Sequence, residues 1–377
     1  MQPERSATPG ISVAAPVIGS IQPHNACFLA PLSGVTDAPF RRLVDRLGAG
    51  LVVSEMVASS ELVRGRRKAV EKAQAGSSDP FVMQLAGREA HWMREAARIA
   101  EDGGADVIDI NVGCPAREVT GKLSGSALMR DLDHAGDLIS AVVGVARVPV
   151  TLKMRLGWCD ATRNAPALAR IAEHAGVALI TVHGRTRCQF YKGHADWTAV
   201  ADVSRAVSVP VLVNGDIVDP SSARAALKAS RANGVMVGRG ACGAPWMPGR
   251  IGSVLATGHD PGDPTVDAQV EMLSALIDDM VTTHGTKLGL ERSRKHIVWT
   301  LPRLGLSDGR AKVERRALCT MTDPETLLTH LSELAKLASD TAISPRVARG
   351  QEQSAEPAVS PVSNSTKTPQ ASEHAYA

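Results

Sequence analysis

Eight short, nearly all-apolar runs recur along the first two thirds of this chain, and that recurrence restricts its fold more than any other feature. They are Cys27–Ala30, Leu51–Ser54, Phe81–Leu85, Val107–Asn111, Val150–Met154, Ala178–His183, Val211–Asn214 and Val235–Gly238. Runs of this kind are the pattern of parallel strands buried on both faces. Helical patterns lie between them, with start signals. Thr36-Asp37-Ala38-Pro39 opens one helix, Asp133 caps another and Asp219-Pro220-Ser221 opens a third. Gly48, Gly103-Gly104 and Gly176 stand where a helix must stop and turn back. Eight strands alternating with helices predict an α/β fold of the (β/α)8 TIM-barrel type over residues 18–249. An open doubly wound sheet would carry a strand-following G-x-G-x-x-G at a helix start, and none is present.

From residue 250 the strand signals stop. Helical periodicity over Gln269–Thr283, Leu290–Pro302 and Glu325–Ala338 predicts a smaller, all-helical C-terminal domain spanning 250–340. Its first part is acidic (Asp260, Asp263, Asp267, Glu271, Asp278, Asp279). Between His284 and Leu318 it turns basic, with Lys287, Arg292, Arg294, Lys295, Arg303, Arg310, Lys312, Arg315 and Arg316 against Glu291, Asp308 and Glu314. The formal net charge of +3 is too small to imply nucleic-acid binding, and the basic cluster is by itself either a solvated face or a phosphate-binding surface. Residues 1–17 read as a flexible N-terminal arm. Residues 341–377, rich in Ser, Pro, Ala and Thr, read as a disordered tail that buries too little apolar surface to offset the entropy of ordering. Aromatic residues are only 3% of the chain, so Ala, Val, Leu and Ile must fill the core. Six scattered cysteines form no C-x-x-C pair, so no metal site is expected. With no apolar run of membrane-spanning length and no basic leader, a cytoplasmic, reduced protein without membrane contact is expected.

In a barrel the C-terminal strand ends share one mouth. In order they carry Pro31-Leu32-Ser33, Ser54-Glu55, Gln84, Asn111 with Cys114, Lys153 with Arg155, His183 with Arg185, Asn214-Gly215-Asp216 and Gly238-Arg239-Gly240. Singly each has a plain role: Gln84 can cap a strand, Asp216 can start a helix, and His183 can sit satisfied in the core. Polar groups at nearly every end of such apolar strands point instead to a shared ligand. The last two ends add glycines and a guanidinium where barrels bind phosphate, which suits a ligand such as FMN. Lys153 lies inside an apolar strand and needs a partner, either a flavin edge or an internal ion pair. The connection Val112–Asp131 is long, Gly- and Ser-rich, and holds Lys122 and Cys114. A thiol on such a loop over a cofactor can serve as proton donor or nucleophile.

These residues resemble the bacterial tRNA-dihydrouridine synthases, most closely their B-type branch. The matching runs are Ala30–Phe40, Ser54–Met56, Val82–Gly87, Asp109–Pro115, Lys122–Leu128, Val150–Trp158, Thr181–Arg187 and Val213–Ile217. The resemblance covers about residues 18–340. It implies an enzyme that reduces uridine to 5,6-dihydrouridine in the tRNA D-loop, with FMN as cofactor and NADPH as electron donor. Pro31, Leu32, Ser33, Gln84, Lys153, His183, Asn214, Gly215, Asp216, Gly238 and Arg239 would surround FMN. Cys114 would protonate uracil C5 while reduced flavin delivers hydride to C6. Asn111, Lys122, Arg155 and Arg185 would meet the substrate base, and Arg292, Arg294 and Lys295 the folded tRNA. The basic stretch within Glu61–Lys68 adds candidate phosphate contacts, with the target uridine extruded into the mouth. No protein partner is implied, and a monomer is expected. Two positions depart from the family pattern: Leu32 replaces a Met, and Gly121 replaces a larger polar residue, which would loosen the loop of Cys114. The competing readings are a flavin barrel acting on a free pyrimidine, which leaves the basic domain idle, and a non-catalytic tRNA-binding protein.

Overall fold

The computed structural model describes residues 12–73, 78–121 and 123–343. Nine strands, β1 (Cys27–Leu29), β2 (Leu51–Val52), β3 (Val57–Ala58), β4 (Val82–Ala86), β5 (Val107–Val112), β6 (Val150–Arg155), β7 (Leu179–His183), β8 (Val211–Asn214) and β9 (Gly234–Val237), pair in parallel in the order β2-β1-β9-β8-β7-β6-β5-β4-β3. The two ends of that order are pieces of one chain segment. Val53 bridges to Val82, and the Ser54 N–H donates to the Val82 carbonyl at 3.0 Å. The sheet therefore closes into a barrel, with the second of the eight expected strands broken in two. Glu55 sits buried in that break, accepting from the Gly34 N–H at 2.5 Å and facing Lys72 at 3.5 Å.

Alternate residues of each strand point to the barrel axis. At the N-terminal end the inward positions are apolar: Phe28, Leu51, Val53, Val82, Val107, Leu179, Leu212 and Met236 cluster together, with Ile18 closing the floor beneath them. Ile18 belongs to a tight turn with reciprocal backbone bonds to Ile21 of 3.0 and 2.9 Å. Two residues further along, the same inward positions turn polar. Gln84, Asp109 and Thr151 are register partners, as are Asn111, Lys153 and Thr181, and then Arg155, His183 and Asn214. Outward positions such as Ile108, Ile110, Leu152, Met154, Ile180 and Val182 stay apolar and pack beneath the helices.

The helices are α1 (Ala38–Arg46), α2 (Ser59–Val63), α3 (Arg67–Lys72), α4 (Ala90–Asp102), α5 (Arg117–Thr120), α6 (Leu132–Val143), α7 (Ala165–Ala175), α8 (Trp197–Ala206), α9 (Pro220–Ser230) and α10 (Met247–Thr257). Asp37 caps α1, and Asp219 caps α9, its carboxylate accepting from the Ser222 N–H at 2.7 Å. The cap of α6 is Asp131 rather than Asp133: the Asp131 carboxylate accepts from the His134 N–H at 3.1 Å, while Asp133 lies in the first turn. A carboxylate there complements the helix dipole without capping.

Four further helices follow: α11 (Val266–His284), α12 (Thr286–Thr300), α13 (Asp308–Thr320) and α14 (Pro324–Ile343). They enclose their own core of Val270, Leu273, Ile277, Leu290, Ile297 and Leu331 among others. Three match the expected periodic segments. α13 was not expected, because it buries only Glu314 and Leu318 and so has almost no apolar stripe. α10, which spans residue 249, packs into the barrel core through Met247, Ile251 and Leu255. The junction with the barrel is ionic and aromatic. Arg42 forks onto Asp279 at 2.9 and 2.5 Å, His284 and Arg292 lie 3.4 and 3.6 Å from Asp37, and His296 stacks on Phe40 at 4.9 Å. Of the expected arm, residues 12–17 are described: the Ser12 hydroxyl and the Val13 N–H each bond the end of α10 at 2.8 Å. Residues 1–11 and 344–377 of the expected arm and tail lie outside the described residues. Among the described residues no helix is long and apolar enough to cross a membrane.

Candidate active site

The barrel mouth is built on one hydrogen-bonded chain across β4, β5 and β6. Asp109 accepts from the Thr151 hydroxyl and from the Gln84 amide nitrogen, both at 2.6 Å. Gln84 Oε1 accepts from Asn111 Nδ2 at 2.7 Å, and Asn111 Oδ1 accepts the N–H groups of Gly113 and Cys114 at 3.2 and 2.9 Å. All four polar side chains are buried. They are satisfied by one another, as burial of so many polar groups requires. Cys114 is held from its other side by Ser126, whose N–H and hydroxyl both donate to the Cys114 carbonyl, at 3.0 and 2.8 Å. Burial, opposed by the Ala116 N–H and by Arg155 and Lys153, pushes the Cys114 thiol above its ordinary range. It stays protonated at neutral pH. Gly121 does not loosen this loop by leaving space: it closes α5, and a Cβ there would meet the Arg117 carbonyl at 2.7 Å.

Next to this chain lies a concentration of positive charge. Lys153 donates to Asn214 Oδ1 at 3.2 Å, and Asn214 Nδ2 donates to the Met236 carbonyl at 2.7 Å. Burial, with Arg155 nearby, lowers the Lys153 pKa to about 8. His183, also buried, is driven well below its usual value by desolvation and by Arg155, Lys153, Arg185 and Arg239, so it is neutral. Gly215 lets its ring approach; a Cβ there would lie 2.8 Å from His183 Cδ2. Four cations thus converge where Asp109 and Asp216 are the acidic neighbours, and Asp216 is engaged by Arg185 at 2.9 and 2.7 Å. The half-exposed Arg239 guanidinium and the open side of Gly238, where a Cβ would meet nothing nearer than Leu32 at 3.7 Å, complete a concave cationic surface. Such a donor set fits a planar ligand carrying a phosphate, as FMN does.

All the expected residues but Lys122 have a definite place. Gln84, Asn111, Cys114, Lys153 and Asn214 come to the mouth through the bonds above, and His183 as the register partner of Arg155 and Asn214. Arg155 reaches it too, but its guanidinium turns into the loops, donating to the carbonyls of Gly113, Thr186 and Phe190 at 2.8, 2.9 and 2.8 Å. Arg185 does likewise, donating to Lys192 and Gly193 as well as to Asp216. Pro31, Leu32 and Ser33 form the loop after β1, where the Leu32 N–H donates to Thr36 Oγ1 at 2.9 Å. Lys122 lies outside the described residues. On α12, Arg294 is exposed, whereas Arg292 faces Asp37 and Lys295 donates to the Gly34 carbonyl, so both of these join α12 to the barrel. The cations within Glu61–Lys68 are exposed and partly paired, Arg64 and Arg66 with Glu61 at 4.0 and 3.7 Å.

Three site residues escaped the strand-end reading. Asp109 and Thr151 lie one step below the strand ends. Their signal was the alternation Asp109-Asn111 and Thr151-Lys153-Arg155, polar at every second position of otherwise apolar strands. Tyr191, on the loop after β7, lies under two guanidiniums, with Arg155 at 5.5 Å and Arg239 at 5.2 Å from its ring, and 6.5 Å from the His183 ring. Its position depends on how that loop folds around Arg185, which local sequence does not show.

A family model described as dihydrouridine synthase (Dus) matches residues 28–339. A probable tRNA-dihydrouridine synthase of Rhodobacter capsulatus is 52% identical over 302 residues, covering 80% of this chain and 91% of the relative. A tRNA-dihydrouridine synthase B of Pseudomonas syringae is 43% identical over 303 residues, covering 79% and 89%. A solved structure of a morphinone reductase mutant in complex with tetrahydroNAD matches at a TM-score of 0.46 and 16% identity, covering 67% of this chain and 93% of that one. With the family model matched over most of its length and close relatives covered almost end to end, the chain belongs to the dihydrouridine synthase family.

Proposed function

We propose that this chain reduces uridine to 5,6-dihydrouridine in tRNA, with Cys114 as the proton donor to uracil C5. Family membership supports the reaction, and the setting of Cys114 supports its role: the thiol is kept protonated by burial, and the backbone N–H and carbonyl of Cys114 are held at the mouth by Asn111 and Ser126. The chemistry that bound FMN supplies, once reduced by NADPH, is hydride to uracil C6. Lys153, His183, Asn214, Gly238 and Arg239 would hold that cofactor, with Pro31, Leu32, Ser33, Gly215 and Asp216 around it. Neutral His183 serves there as a hydrogen-bonding group rather than a charge. Gln84 and Asn111 orient the loop of Cys114, and Tyr191 with the loop after β7 walls the mouth beside it. The exposed cations of α12 and α13 would meet RNA phosphate, and the protein would act in the cytoplasm as a monomer.

Replacing Cys114→Ala tests the assignment. The variant is expected to keep its flavin absorbance and to oxidise NADPH at the native rate, while dihydrouridine in tRNA, measured by nucleoside mass spectrometry, falls by a factor of about 100. Native levels of dihydrouridine would remove Cys114 from the chemistry.

A further inference from the structure

We propose, resting on the reading of Cys114 as the acid, that Asp109 is a positioning residue that aims the Cys114 loop through Gln84 and Asn111. The geometry has a direction. Both Asp109 oxygens accept, one from the Thr151 hydroxyl and one from the Gln84 NH2 group, each at 2.6 Å; burial pushes the Asp109 pKa up, and these bonds, with Lys153, oppose that push. The Gln84 oxygen must then point up, and it can receive only the NH2 group of Asn111, at 2.7 Å. That leaves Asn111 Oδ1 for the N–H groups of Gly113 and Cys114. Backbone N–H groups only donate, so the far end demands the same orientation. The donor-only N–H groups at the loop end set both amides in turn, and Asp109 supplies the accepting oxygen on which the arrangement ends. Thr151, donating to the second Asp109 oxygen at 2.6 Å, fixes the carboxylate itself. Gln84, Asp109 and Thr151 are consecutive register partners, so rigid strands rather than loops carry the chain up to the mouth. Asp109 lies two residues before Asn111 and five before the thiol and makes no hydrogen bond to Cys114. It acts through its neighbours.

The test compares two variants of the purified flavoprotein. Asp109→Leu deletes the acceptor, whereas Asp109→Asn keeps one oxygen for Gln84 and can turn its NH2 group to the Thr151 hydroxyl. In Asp109→Leu, kcat for dihydrouridine formation is expected to fall at least tenfold, with the KM for tRNA and the rate of flavin reduction by NADPH within twofold of native. Asp109→Asn is expected to recover to within threefold. Alkylation of Cys114 by iodoacetamide, followed by peptide mass spectrometry, is expected to run at least threefold faster in Asp109→Leu, with the other cysteines unchanged. If that variant does not fold, the near-isosteric pair Asp109→Asn with Thr151→Val, which leaves the new NH2 group without an acceptor, takes its place under the same expectations. Native turnover in the apolar variant overturns the proposal, and so does an equal loss of flavin reduction and uridine reduction, which marks a general structural role. A native enzyme that makes no dihydrouridine refutes the functional reading instead, and the alkylation rates still decide for or against Asp109.

Discussion

Lys153 shows what a residue inside an apolar strand can disclose and what it cannot. Its burial and its need for a partner follow from Val150-Thr151-Leu152-Lys153-Met154 alone. The lowered value of about 8 does not, because it also arises from Arg155, on the same face of the strand. The sign of its effect on cofactor binding is clear. Below pH 8 the side chain is an ammonium that attracts an electron-rich ligand, and above it that attraction is lost. FMN affinity, followed by fluorescence quenching, should therefore weaken by up to about tenfold as pH rises from 7 to 9. Lys153→Met should bind FMN weakly at both pH values, without the step between them. Gln84 and Asn214 stand out because each is polar at the end of an apolar run, and Cys114 because it sits on the long connection after one. Tyr191 was not, because nothing local distinguishes it from any loop aromatic.

At the scale of elements, every barrel strand except β3 was readable, because strands buried on both faces are written as apolar runs. The break between β2 and β3 was less so: Ser54 and Glu55 read as a strand end, and only Val53 meeting Val82 shows that the wall continues. α13 was unreadable for the opposite reason, since a helix that buries two residues carries little pattern. The contact of α12 with α1 yields a stability prediction. His296 is buried against Phe40 and Trp299, and burial depresses its pKa to about 3, far below the unfolded value of 6.5. A group with a depressed folded pKa that is neutral when buried favours the unfolded state on acidification. The loss begins as pH falls through 6.5 and continues to about 3. By pH 5 it should amount to about 2 kcal/mol, at 1.36 kcal/mol per unit. The difference between urea melts at pH 7 and pH 5, to which buried His183 also contributes, should be smaller by about 2 kcal/mol in His296→Phe.

The whole molecule sets the catalytic mouth beside a helical surface of opposite character to its attachment. Acidic Asp37 and Asp279 and the carbonyl of Gly34 take up His284, Arg292, Arg42 and Lys295 at the junction, while Arg294, Arg315 and Arg316 remain exposed. Sequence alone ranked Arg292, Arg294 and Lys295 together, because a charge count cannot tell a cation engaged by its own protein from one free to meet RNA. Charge reversal at Arg294, Arg315 and Arg316 should lower tRNA affinity and reduce the slope of log K against log salt by roughly one for each phosphate no longer neutralised, with the Tm little changed. Filter binding across a salt series measures it. Reversal at Arg292 or Lys295 should instead lower the Tm first.

The turn at Ile18–Ile21 that floors the barrel has a practical corollary. It fixes the start of the described chain on the side away from the mouth, where Ser12 and Val13 lie along the end of α10. Handles grafted ahead of Ser12 should therefore orient the enzyme on a bead or chip with its catalytic opening outward. Protein anchored that way should modify tRNA at close to its rate in free solution, which an immobilised-enzyme assay with a releasable tether can check.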